Sequence, residues 1–337
     1  MRALLGFAKR FGVVPAVLAL ASFNPPHASA ATGKYVKFDP AGSTGTLPVG
    51  INDMGSVAGY YSDSGLNNHG FLRTSGGAIT PFDPVSALDT QVTGINDKDS
   101  IVGYYEDSNK VTRGFVRSAS GRIKTFDVSG AAATFASAIN AKGAITGYSV
   151  DVNALSSGFL RSADGMITTF SVQGDNGILP VSINSSDEIT GDFLDAKGDH
   201  GFVRTADGTL TAFDVPGAVG TQPKGINNKG SITGSYFDDN GSAHGFVLDV
   251  SGAFATFDPA DAIETYPLSI DKRGWVTGTY QDIHAMERGF IRRPDGRITT
   301  FKVPGSPYGT WAESINEHGA VAGFYSDDNG DHGFIRN

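Results

Sequence analysis

A unit of 44 residues is written seven times in this chain, and a chain so built folds as an array of like parts. Its clearest mark is an Ile-Asn pair at Ile51-Asn52, Ile95-Asn96, Ile139-Asn140, Ile183-Asn184, Ile226-Asn227 and Ile315-Asn316, with Ile270-Asp271 as the one variant. Successive marks lie 44, 44, 44, 43, 44 and 45 residues apart. Most recurring residues in such an array are scaffold, so the positions where copies disagree carry the information about function.

The third copy, residues 136–172, shows the content of one unit. Four short β-like runs are separated by Gly, Asn and Asp turns. Four strands per 40 to 45 residues is the pattern of a propeller blade. We letter the strands a to d from the axis outward. Counting from each Ile, position +8 is always glycine, from Gly59 to Gly323, and position +12 is always aspartate, from Asp63 to Asp327. A Gly-Phe pair opens strand c in every copy, and strand d carries Phe82, Phe126, Phe170, Phe213, Phe257 and Phe301. The seventh such phenylalanine would fall beyond Asn337. Phe38, in Tyr35-Val36-Lys37-Phe38-Asp39, precedes Ile51 by the same offset that separates Phe82 from Ile95. The sequence therefore predicts an all-β, seven-bladed β-propeller with four-stranded blades. Its N-terminal strand completes the last blade and leaves no free edge there.

The first 30 residues stand outside the repeats. Arg2, Lys9 and Arg10 precede an apolar stretch, and Ala28-Ser29-Ala30 is a small-x-small site, which together predict a secretory signal peptide at 1–30. The stretch is short and broken by Pro15, so no membrane span is expected. Residues 31–337 then form a single domain, expected to be a secreted or periplasmic monomer. There is no cysteine to staple it. Losing three basic residues with the leader takes the net charge from −9 to −12. That argues against nucleic acid as a partner, because phosphate binding needs a basic face.

The unit Ile-Asn-x-x-Gly, Gly-Tyr, Asp, His-Gly-Phe resembles the extracellular HAF repeat family, named for a His-Ala-Phe signature. The motif stands here as His69-Gly70-Phe71, His200-Gly201-Phe202, His244-Gly245-Phe246 and His332-Gly333-Phe334. Arg113, Ser157 and Arg288 replace the histidine in the other copies. The resemblance spans residues 35 to 337 and implies an exported repeat protein without a shared catalytic site.

Few residues carry chemistry of their own. The +12 aspartates read as turn ligands that accept backbone N–H groups, and the histidines across the same turn as hairpin supports. Asp238 and Asp327, in Asp-Asp-Asn-Gly runs, are weak Ca²⁺ candidates; their spacing is that of Asn-Gly hairpin turns and not of an EF-hand. No cofactor is otherwise implied. The varying positions lie on strand a. Four residues before each Ile stand Leu47, Gln91, Phe135, Leu179, Gln222, Tyr266 and Trp311, which would ring one mouth of the channel. Aromatic rings stack on sugars and amides bond hydroxyls, which marks Gln91, Phe135, Gln222, Tyr266 and Trp311 as candidate ligand-binding residues. The competing expectation is that they pack between blades. Two residues before Ile, Lys224 and Glu313 break an otherwise neutral set, as an acid/base couple or a solvated ion pair.

Three functions compete on this basis. A binding module for a glycan or cell-envelope polymer is favoured over catalysis. A polysaccharide hydrolase or lyase would need two carboxylates across a sugar, with Glu313, Asp261, Glu264 and Lys224 as candidates. A protein-interaction scaffold would use the propeller surface itself.

Overall fold

A computed structural model describes residues 33–337 apart from 173 and 175, so the expected leader at 1–30 lies outside the described residues. The described chain is all-β, with 28 strands and no helix. The third copy shows the unit: strands Ala133–Ile139, Ile145–Val150, Ser156–Arg161 and Ile167–Phe170 pair in that order, all antiparallel. Copies two to five each form a separate four-stranded sheet. The remaining twelve strands are traced as one sheet, which single parallel bridges at Glu287–Gly309 and Gly45–Asp331 join together. Strand Tyr35–Phe38 pairs with Gly330–Arg336, and Phe38 lies opposite Gly333 as Phe82 lies opposite Gly70.

Three recurring contacts hold neighbouring copies together. The first is a ladder of buried side-chain amides in the a–b turns. Asn52 Nδ2 donates to the carbonyl of Asn96 at 3.0 Å, and Asn96, Asn140, Asn184 and Asn227 each repeat the bond to the next copy at 2.9 to 3.1 Å. Asn316 donates to the carbonyl of Asn52 at 3.0 Å, joining the last copy to the first. Each Oδ1 meanwhile accepts two N–H groups of its own turn, as Asn140 does from Lys142 and Ala144. Asp271 has no amide to give and pairs its carboxylate with Arg273. Residues of all seven turns line one central cavity of about 310 Å³.

The second contact is aromatic. The Gly-Phe phenylalanines are fully buried, and each meets the strand-d phenylalanine of the preceding copy edge-on, with centroids 5.8 to 6.4 Å apart. Phe38 takes this role against Phe71 at 6.0 Å. The third contact was not anticipated from the sequence. An arginine two residues after Phe in Gly-Phe-x-Arg stacks over the same strand-d ring, from Arg73 on Phe38 to Arg336 on Phe301, at 4.8 to 5.0 Å. The fifth copy has Leu248 there, and Phe254 packs on Phe213 instead.

The invariant +8 glycine has a steric cause. A Cβ on Gly147 would lie 2.0 Å from the carbonyl oxygen of Phe135 on strand a, and every other copy places its oxygen at 2.0 to 2.2 Å. No side chain fits over a backbone that close. Gly147→Ala is therefore expected to cost about 3 kcal/mol or more in chemical denaturation. Gly76→Ala, at an exposed turn with room for a methyl, should stay within about 0.5 kcal/mol.

Candidate functional site

The entry end of strand a carries the varying residues, and strand b faces them in register. Leu47, Gln91, Phe135, Leu179, Gln222, Tyr266 and Trp311 are all partly exposed. Opposite them stand Tyr60, Tyr104, Tyr148, Asp192, Ser235, Thr279 and Phe324. Two pairs form stacked platforms: Trp311 on Phe324 at 4.8 Å and 8°, and Phe135 on Tyr148 at 4.7 Å and 13°. Tyr104 adds its edge to Phe135 at 5.0 Å. Copies seven, one, two, three and six thus present at least one ring each, while four and five present none. The strand-b residues at position +9 were missed in the sequence. Their signal was the same one that marked strand a, a varying position inside a constant frame.

Carboxylates surround these rings. Asp89 accepts from Asn68 at 2.9 Å and from Gln91 at 3.1 Å. Gln222 donates to Asp199 at 3.2 Å, and Tyr266 donates to Glu264 at 2.5 Å. Three of the five expected ligand residues therefore hold a carboxylate in place. The Tyr60 hydroxyl brings several groups together. Burial, then the proximity of Tyr104, Glu313, Asp89 and Asp331, pushes its pKa up to about 12.

Glu313 is set apart by the backbone. In all seven copies the a–b register shifts around the residue two before Ile, as between Ala312 and Ser314 or between Pro223 and Gly225. That residue is a β-bulge, a device that re-aims a side chain out of the ladder. Glu313 and Lys224 occupy this place in copies seven and five. They form no ion pair with each other among the described residues, because the whole inner strand Ala262–Ile270 lies between theirs. The expected Lys–Glu pairing is thus corrected. Glu313 has neither a hydrogen bond nor an ion pair there, and burial pushes its carboxyl up to about 7. Asp261 sits exposed in the d–a loop beside Tyr280.

The repeated Asp and His lie farther out. Asp63 Oδ1 accepts the N–H groups of Gly65 and Asn67, and Asp238 Oδ1 those of Asn240 and Ser242. Asp327 Oδ1 accepts from Asn329 and meets His332. No cluster of three or more potential metal ligands occurs among the described residues. Each motif histidine bridges two carboxylates: His69 reaches Asp83 at 2.7 Å and Asp63 at 3.4 Å, and His332 reaches Asp39 at 2.8 Å and Asp327 at 3.2 Å. Arg113 spans Asp107 and Asp127 in the same way. The bridge ties the b–c turn to the residue that follows strand d.

Solved structures with this architecture exist. The virginiamycin B lyase of Staphylococcus aureus matches with a TM-score of 0.59 and 14% identity, over 90% of this chain and 99% of that one. The fold is that of a β-propeller. The β-propeller domain of the trilobed protease from Pyrococcus furiosus matches at 0.59 and 10% identity, over 87% and 95% of the two chains. Puromycin hydrolase matches at 0.57 and 12% identity, over 85% of this chain and 51% of that one. At such identities the likeness is one of fold. No protein-family model and no curated protein matches the sequence.

Two pH effects follow. Burial would lower the His69, His200, His244 and His332 pKa values, but their aspartate bonds outweigh it and raise them above 6.5. Their stabilisation is full below that value and lost as pH rises through the folded pKa. Replacing all four with Arg, as copies two and six do naturally, should flatten the fall in thermal midpoint as pH rises above 6.5. Glu313 is also raised, from 4.5, so the folded state loses stability as pH climbs from there through about 7. Glu313→Gln is expected to match wild type at low pH and exceed it at alkaline pH in the same melts.

Proposed function

We propose that this protein is an exported binding module for a glycan or cell-envelope polymer, held where the inner strands begin. In this reading the seven units are the blades of one propeller, and Tyr35–Phe38 closes the ring as the outer strand of the last. The pairing of that strand with Gly330–Arg336, the Phe38–Phe71 contact and the Asn316–Asn52 bond support the closure. Export, and membership of the HAF-type repeats, rest on the leader and motif in the sequence.

One observation carries the ligand class. Two stacked aromatic platforms, Trp311/Phe324 and Phe135/Tyr148, stand part-exposed at the same level as Gln91, Gln222 and Tyr266. Flat apolar faces beside fixed polar groups suit a sugar ring, which has apolar faces and a hydroxyl edge. A catalytic reading is favoured only by Glu313, whose carboxyl titrates near neutrality as a general acid requires.

The test is binding of residues 31–337 to a panel of polysaccharides, with polymer size followed over time. Trp311→Ala and Phe135→Ala are each expected to weaken binding by about tenfold or more without shortening the polymer. Undiminished binding by both variants would remove the site from this mouth. Chain shortening that Glu313→Gln abolishes would turn the assignment to a hydrolase or lyase.

A further inference from the structure

Two sets of carboxylates in this protein differ in what meets them. Six of the seven aspartates at the outer b–c turns have cations beside them: Asp63, Asp195, Asp238 and Asp327 meet histidines, and Asp107 and Asp282 meet arginines. Five at the inner mouth do not. Among the described residues Asp89, Glu264, Glu287, Glu313 and Asp331 make no ion pair. Their hydrogen-bond partners are neutral: Asn68 and Gln91 for Asp89, Tyr266 for Glu264, Gln281 for Glu287 and Ser326 for Asp331.

Glu313 is the extreme case. It is half-buried, carried on a bulge, and has no hydrogen-bond partner among the described residues. Three of these acids, Glu313, Asp89 and Asp331, come from copies seven and two yet converge on the Tyr60 hydroxyl of copy one. A half-buried carboxylate is partly desolvated and is stabilised when a cation or a set of donors meets it. Lys224 is the one basic side chain of the bulge positions, and it stands in copy five. The charge of Glu313 reaches Tyr60, its own strand carries Trp311, which stacks on Phe324, and aromatic faces attract cations.

We propose that the polymer held at this mouth is an amine-bearing glycan, whose ammonium groups neutralise the carboxylates around Glu313 while its sugar rings lie on the aromatic platforms. This rests on the glycan reading above and adds the charge of the ligand. The net charge of −9 favours the approach of such a polymer from solution.

Two oligosaccharides of equal length separate the two statements, one of glucosamine with free amines and one of N-acetylglucosamine. Binding to residues 31–337 would be measured by calorimetry at low salt and at about 0.5 M salt, with spermine as a competitor without sugar. The free-amine oligomer is expected to bind at least about tenfold tighter than its acetylated twin, and to lose that margin in high salt. Glu313→Gln and Asp89→Asn, each checked for an unchanged melt at low pH, should both shrink the margin. Equal affinity for the two oligomers would overturn the charge assignment and leave the glycan reading standing. Spermine binding as tightly as the free-amine oligomer would keep the cation and remove the sugar. No binding of either oligomer would overturn this proposal outright.

Discussion

The amide side chain in each a–b turn holds this architecture at its axis. One atom, Oδ1, closes the turn on two of its own N–H groups, and the other, Nδ2, caps the carbonyl of the next copy. The bond is buried at both ends, so losing either partner strands a polar group away from water. It fixes the spacing of adjacent inner strands, and the interlocked phenylalanines then fix the outer sheet faces. Asp271 shows the ladder tolerating one missing rung: Lys272 reaches Glu317 in the next copy by both its backbone N–H and its side chain, replacing an amide bond with a charged one.

Much of this fold was legible because it is repeated. Seven copies act as an internal comparison, so the glycine under strand a, the turn aspartate and the missing strand-d phenylalanine could each be found by counting. The arginine over the strand-d ring escaped notice although Arg73, Arg117 and Arg161 recur as regularly as the glycines. An arginine after a buried phenylalanine reads as a solvated strand end, and only the fold shows that the ring beneath it belongs to the preceding copy.

The mouth was half legible. Strand a announced itself through Phe135, Tyr266 and Trp311, residues out of place in a run of leucine and glutamine. Strand b did not, because Tyr60, Tyr104 and Tyr148 follow glycine in a repeated Gly-Tyr that looks like scaffold. Their role depends on register, which places each one against a strand-a residue 13 positions earlier. The bulge was hidden as well, since no residue type is common to Glu313, Lys224, Thr93 and Val49. It is visible only as a slip in pairing, and it is what separates Glu313 from the ordinary alternation of a strand.

The strand Tyr35–Phe38 is made before any of the seven units, and its partner Gly330–Arg336 after six of them are complete. Between the two events the strand has no edge to join, and Phe38 has neither Gly333 beneath it nor a settled place against Phe71. Six copies can zip up on neighbours as they emerge, each contact spanning about one repeat. The last pairing must instead bridge almost the whole chain, the most costly loop this polypeptide closes. Maturation of the protein is therefore a sequence of cheap local steps followed by one slow latch, and until the latch falls the molecule carries an open sheet edge on which another chain can settle.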